Sequence, residues 1–301
     1  MRFLAVLNRG GGTLRTMDID AFVGRCRDTL EGAGHAVEFS IVNGDGLSEA
    51  LAQAARAGAD VLLAGGGDGT ISAAAAVLMG SDTALAVLPA GTMNLFARGL
   101  GIPLDLDQAV ADFANGEIRS VDIATANGQP FVHQFSIGLH SDLIRRREAL
   151  NYSSKFGKMR ASVVAALATI ARPPRLHFEL AMPDAAIRAT ASSLGISNNA
   201  LAGGPLPVAA RLDGGELGIY IARAHRSGEI MRLLLALATG RWNQSSVVEI
   251  HRAPNVRLTL SGRSRRIQCA IDGELGRLEA RTEIAIHPGA LKVLVPRPAA
   301  A

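Results

Sequence analysis

Six consecutive residues, Gly65, Gly66, Gly67, Asp68, Gly69 and Thr70, form the pattern that most directly suggests chemistry. They follow the apolar run Val61 to Ala64 and precede an Ala-rich stretch of helical character, Ile71 to Met79. A strand that runs through a glycine loop into a helix brings backbone N–H groups and a helix N-terminus to the carboxyl edge of a sheet, where phosphates bind. Glycines let the backbone come close to the phosphates and take positive φ. Thr70 suits the helix N-cap, and Asp68 is placed to hold Mg²⁺ or a phosphate-linked water. No Walker lysine follows and the G-x-G-x-x-G spacing is missing, so neither a P-loop NTPase nor a dinucleotide oxidoreductase is indicated.

A second strand-loop-helix follows: Ala84 to Leu88, then Pro89-Ala90-Gly91-Thr92, then Met93 to Leu100, stopped by Gly101 and Pro103. With both strands parallel in one sheet, the two Gly-Thr turns lie along one carboxyl edge and can face one nucleotide. Thr92 and Asn94 then offer it a hydroxyl and an amide, or else cap the helix that follows. The third element is Asp272-Gly273-Glu274, between the strand-like Arg266 to Ala270 and Arg277 to Ala280. An Asp-Gly turn there exposes two carboxylates at a hairpin tip, and Glu274 is a candidate general base. The seven histidines show no metal-ligand spacing, and no G-x-S-x-G elbow suggests a hydrolase.

The elements that must position these residues change character along the chain. In the first part, strand-like Phe3 to Leu7, Ala36 to Val42, Val61 to Ala64 and Ala84 to Leu88 alternate with helical patterns at Ile19 to Glu31 and Leu47 to Ala57. Near-continuous apolar strands separated by helices predict a parallel sheet covered on both faces. After Val121 to Ile123 come a strand over Phe131 to Ile137, a helix over Lys158 to Ile170 and then short segments punctuated by turn signals. We therefore expect an α/β domain over 1–125 and a β-rich substrate domain over 126–289.

With 31 Lys and Arg against 27 Asp and Glu, the chain is mildly basic, which favours anionic partners. Aromatic residues make up only 4% and are scattered, which argues against nucleic acid. Cys26 and Cys269 form no CxxC pair and suit a reducing cytoplasm. No apolar stretch approaches the ~20 residues that span a bilayer.

Together the three motifs resemble the diacylglycerol and sphingosine kinase-like lipid kinases, whose catalytic domain carries a GGDGT loop, a P-x-G-T-x-N-D-F-A-R segment and a late D-G-E. Here these are Gly66 to Thr70, Pro89 to Arg98 and Asp272 to Glu274; Asn8 with Gly10 to Gly12 resembles the family's opening asparagine and glycine loop. The resemblance implies an α/β N-terminal domain of the NAD kinase and phosphofructokinase type, a β-sandwich-like C-terminal domain, a nucleotide between them, and a last strand, within 290–301, returning to the first domain. It implies ATP held by Asn8, Ser40, Gly66 to Thr70 and Thr92, to which the loop reading adds Gly65 and Asn94, with Glu274 as base and Asp68 beside the phosphates. The γ-phosphoryl group would pass to a lipid hydroxyl such as that of diacylglycerol or a sphingoid or ceramide-type lipid. Mg²⁺ is expected, with Asp68, Asp122, Asp213 and Glu216 as available oxygen donors.

Two departures stand out. Asn94 is followed by Leu95 where the family carries Asp, and the loop expected as Asp-Asp-Gly-Leu-Leu-Asp reads Asp213 to Gly218, DGGELG. A kinase of a soluble metabolite or of NAD, and a nucleotide- or lipid-binding protein with little catalysis, stay open as alternatives. The expected partner is lipid at a membrane surface, met transiently from the cytoplasmic side through Arg145 to Arg147, Lys155 with Lys158 and Arg160, and Arg263 with Arg265 and Arg266. A homodimer is also left open. Val163 to Ile170 and Ile230 to Leu237 read as core helices in preference to the alternative, wedges that enter lipid.

Overall fold

The computed structural model describes residues 1–148, 173–261 and 267–297. The expected helix over Lys158 to Ile170, the Val163 to Ile170 stretch and the basic clusters at 155–160 and 263–266 lie outside the described residues. In chain order the elements are β1 (Arg2–Asn8), α1 (Ile19–Gly32), β2 (Ala36–Val42), α2 (Gly44–Arg56), β3 (Val61–Gly66), α3 (Asp68–Leu78), β4 (Ala84–Pro89), α4 (Leu95–Gly99), α5 (Leu106–Ala114) and β5 (Glu117–Ala126). There follow β6 (Gln129–Phe131), β7 (Gln134–Gly138), α6 (Leu139–Glu148), β8 (Leu176–Ala181), β9 (Ala186–Ala191), β10 (Ser193–Ser197) and β11 (Leu217–Ala222). The last are α7 (Ser227–Ala238), β12 (Val248–Ala253), β13 (Asn255–Leu260), β14 (Gln268–Ile271), β15 (Glu274–Arg277) and β16 (Arg281–Val295).

The chain divides into two units, one formed by 1–123, 211–214 and 287–301, the other by 124–210 and 215–286. In the first unit β1 pairs in parallel with both β2 and β3, β3 with β4, and β4 with the end of β16 through Val293 and Leu294. β3 and β4 are buried at every position, as continuous apolar runs covered on both faces should be. β2, at the edge, is largely exposed. Asp18 and Asp105 cap α1 and α5, each accepting from the backbone N–H three residues on. The order β2-β1-β3-β4 means that the winding reverses between β1 and β3. The crevice beyond the carboxyl ends of those two strands is the switch point at which such sheets bind ligands.

The second unit has an antiparallel sheet of order β12-β11-β10-β7-β14-β15 and another in which β9, β8 and β13 are followed by the first residues of β16. Alternate residues of the strands build its core: Phe135 and Ile137, Leu194 and Ile196, Leu217, Ile219 and Ile221 join Phe178, Leu180, Val256, Leu258 and Ile284 in one buried cluster. The expected single strand Phe131 to Ile137 is broken at Val132 and His133, for a reason given below. Cys26 and Cys269 are free and buried. Among the described residues no helix is long and apolar enough to cross a membrane.

Candidate functional site

At the switch point three glycine loops meet, those after β1, β3 and β4. A Cβ placed on Gly12 would lie 1.8 Å from the Ala90 carbonyl oxygen, and one on Gly91 would lie 2.7 Å from the Gly67 Cα. The backbones are also bonded: Thr13 N–H donates to Ala90 O at 2.8 Å, and Ala90 N–H to Gly66 O at 3.0 Å. Asn8 holds the first loop, accepting from Gly10 N–H at 3.0 Å while its amide donates to Thr70 Oγ1 at 3.1 Å.

The loop after β3 differs in detail from the sequence expectation. Helix α3 begins at Asp68, its N-cap is Gly67, and Thr70 lies buried in the first turn rather than capping it. Gly65, Gly66 and Gly67 do not take positive φ. Crowding explains two of them, since a Cβ on Gly65 would meet Leu7 at 2.6 Å and one on Gly66 would meet Thr70 Oγ1 at 2.4 Å. The first helical bond recorded at this end runs from Ile71 N–H to Gly67 O. The N–H groups of Asp68, Gly69 and Thr70 therefore carry no intrahelical partner and open, with the positive end of the helix dipole, at the loop.

Asp68 ties this loop to the next. Its Oδ1 accepts from Leu95 N–H at 2.8 Å and its Oδ2 from Asn94 N–H at 3.1 Å, so one carboxylate caps the short α4. Asn94, at φ +49°, bonds Gly91 N–H, Pro89 O and Gly91 O through its side chain and is 8% exposed. Its amide shapes the loop, whereas Thr92 stands exposed at the tip. Ser40 is exposed on the edge strand β2, opposite Val6 in register.

The remaining acidic candidates are dispersed in role. Asp122 is buried and accepts from Gly289 N–H at 2.9 Å, Asp213 pairs with Arg211 at 3.0 Å, and Glu216 is exposed. Among the described residues no three His, Cys, Asp or Glu side chains gather in a way that would hold a metal ion. The glycine loops fit a polyphosphate; the acidic residues do not by themselves fit Mg²⁺.

In the second unit, the hairpin of β14 and β15 turns at Asp272 and Gly273, both at positive φ, as an Asp-Gly hairpin turn requires. Only one of its two carboxylates is presented as expected. Asp272 turns inward and accepts from the N–H groups of Val132, His133 and Gln134, each at 2.9 Å, and this breaks the strand there. Glu274 stays exposed.

The same unit contains a feature that no sequence motif marks, a cavity of about 400 Å³ on the outer face of the sheet. The residues alternate with those of the core, so Ser136, Ser193, Gly195, Tyr220 and Ala222 form its floor. Most are small, and they leave room beneath the leucines of α6 and α7. Tyr220 and Trp242 meet edge to face at 5.3 Å, and their polar atoms bond Leu201 N–H and Gly204 O. The other polar feature is His140. Its Nδ1 lies 2.9 Å from Ser136 Oγ and 3.1 Å from Gln134 Nε2, and burial, with His133 nearby, lowers its pKa. A Ser-x-Gly alternation on β10 was the available sequence signal, and it reads equally as an ordinary strand.

Residues 2–126 match the diacylglycerol kinase catalytic domain, and residues 136–295, more than half of the chain, match the YegS C-terminal NAD kinase beta sandwich-like domain. The chain belongs to this lipid kinase family. A relative from Pseudomonas syringae pv. tomato named "Probable lipid kinase YegS-like" is 32% identical, over 83% of this chain and 79% of its own. A diacylglycerol kinase of Mycobacterium tuberculosis is 29% identical over 85% and 84%. A crystal structure of a diacylglycerol kinase from Bacillus anthracis str. Sterne matches the fold with a TM-score of 0.73 at 18% identity, covering 100% of this chain and 98% of that one. Membership in the kinase family agrees with the α/β and β-sandwich architecture and accounts for the glycine loops.

Proposed function

We propose that this kinase transfers the γ-phosphoryl group of ATP to the hydroxyl of a lipid, with the lipid's acyl chain in the cavity of the second unit. The observation that carries the lipid reading is that cavity, walled by leucines, small residues and aromatic rings with few polar groups. A soluble metabolite or NAD would leave such walls unmatched and would bury its own polar groups without partners.

The proposed division of labour follows from the chemistry of each part. The N–H groups at the start of α3, with the loops of Gly10 to Gly12 and Gly91 to Thr92, bind the triphosphate and offset its charge. Asp68 holds two of these loops in register, so its role begins with positioning. Glu274 takes the proton of the lipid hydroxyl as the oxygen bonds to the γ-phosphorus and ADP leaves. Mg²⁺ in sites of this kind is held by one or two carboxylates together with the substrate phosphates and water.

The test uses the purified full chain with ATP, Mg²⁺ and, in turn, a single-chain lipid alcohol, diacylglycerol and NAD. Phosphate recovered in extractable lipid, with Glu274→Gln lowering the rate about 10²- to 10⁴-fold, is the expected outcome. Phosphorylation of NAD, or no lipid product under any condition, would refute it.

A further inference from the structure

Helix α7 was expected to be buried, and it is not. Ile230 and Leu233 face inward, but Met231 is 53% exposed, Leu234 40%, Leu235 65% and Leu237 41%. Met231, Leu234, Leu235 and Ala238 follow i, i+3, i+4, i+7 spacing and so form one continuous solvent-facing stripe. Ordinary surface helices carry polar residues there, and the stripe is not scatter. Five of the twelve exposed large apolar side chains among the described residues lie on α6 and α7, counting Leu143.

Two further features identify what the stripe meets. Leu143, Leu234 and Leu237 both line the cavity and reach solvent, so the exposed patch is continuous with the cavity's own rim. The charges around it are net positive, three arginines against one carboxylate. Arg226, Arg232 and Arg241 are exposed at its ends and flank, while the helix's one carboxylate, Glu229, is occupied at the N-terminus by the N–H groups of His225 and Arg226 at 2.8 and 3.1 Å. An apolar stripe bordered by arginines suits the boundary between acyl chains and anionic head groups.

We propose that α7 is the membrane-docking helix of this protein, lying in the plane of an anionic bilayer with Met231, Leu234 and Leu235 among the acyl chains. This rests on the lipid kinase reading in one respect: a chain leaving the bilayer would then enter the cavity past Leu234 and Leu237 without crossing water. The contact is an interfacial one, and it leaves the rest of the chain outside the hydrocarbon.

The experiment measures co-sedimentation of the full chain with phosphatidylcholine vesicles, with and without phosphatidylglycerol. Met231→Glu with Leu235→Glu, neither of which lines the cavity, should lower partition to the anionic vesicles by about 100-fold, or about tenfold for each side chain. Leu235→Trp should raise it, since tryptophan favours the interface; this second variant guards against a fold damaged by the glutamates. Turnover of a short-chain acceptor dissolved in water should stay at the wild-type level in all variants. Unchanged partition in both variants overturns the proposal, as does a wild-type dimer that the glutamates convert to monomer without altering vesicle binding. If vesicles are bound through α7 while no lipid is phosphorylated, the docking role stands and the kinase reading fails.

Discussion

Glycine does opposite work in the two units. In the glycine loops of the first unit, added Cβ atoms on Gly12, Gly66 and Gly91 would meet other atoms at 1.8, 2.4 and 2.7 Å. On the floor of the cavity, a Cβ on Gly195 would meet nothing within 4 Å. In the first region glycine lets three backbones touch one another; in the second it leaves space that no other part of the chain fills. A rigid polar cradle built from mutual backbone contacts fixes where a phosphate sits. An underfilled apolar face admits a guest whose shape is loosely specified. The family's shared reaction would lie with the first region and its choice of acceptor with the second.

Breaking the cradle should have the largest effect. In Gly91→Ala the new methyl lies 2.7 Å from the Gly67 Cα and 2.8 Å from Asn94 Oδ1, so the two loops must part. A shift approaching 1 Å in the groups that position a phosphate costs about 10²-fold in rate. We therefore expect a loss of at least that size with every acceptor, together with loss of the thermal stabilisation that ATP gives. Equal ATP-induced stabilisation in the variant and wild type would show that the contact between the loops is not what shapes the site.

Filling the cavity should have a smaller and more selective effect. Gly195→Leu inserts an apolar side chain into the guest space without a backbone clash, so stability should change by less than about 1.5 kcal/mol. The KM for long-chain acceptors should rise about 10- to 200-fold, whereas short-chain acceptors and ATP-induced stabilisation should be unaffected. If long and short acceptors weaken alike, the cavity does not select the chain.

The same contrast explains what could be read in the sequence. The loops were legible as strand-loop-helix turns because they are local strings of residues: Gly65 to Thr70 and Pro89 to Asn94 are contiguous, and each follows a strand that is apolar throughout. Their internal wiring was less legible. Nothing in the string shows that Thr70 accepts from Asn8, or that Asp68 spends both oxygens on Asn94 and Leu95, because those bonds depend on strand order. Asp272 looked like one of two exposed carboxylates because its three backbone donors lie about 140 residues away. The cavity was illegible for a stronger reason. It is assembled from residues of four strands, two helices and the 201–207 loop, and most of the contributors alone are ordinary small or apolar residues. Helix α7 shows the limit most plainly, since a largely apolar run interrupted only by Arg232 over Ile230 to Leu237 fits equally a buried helix and one that meets a bilayer.

The smallest expected effect sharpens the comparison from the cavity's polar side. His140 is held below the ordinary histidine pKa by burial first and by the neighbouring His133 second. Between its lowered folded value and about 6.5, the unfolded chain binds a proton that the folded chain does not. This part of the stability is fully present above about pH 6.5 and is lost as pH falls through the folded value. Unfolding followed by denaturant titration across that range should show the wild type losing stability more steeply than His140→Asn. The gap should close above pH 7, apart from a constant offset. Among the described residues no histidine takes part in the contacts of the glycine loops, which are made by backbone groups, by the Asn8 and Asn94 amides and by the Asp68 carboxylate. Acid should therefore loosen the acceptor cavity before it disturbs the cradle, and acceptor binding should weaken at a higher pH than ATP binding does. A parallel loss of both on acidification would mean that His140 is not the group that sets the cavity's pH response.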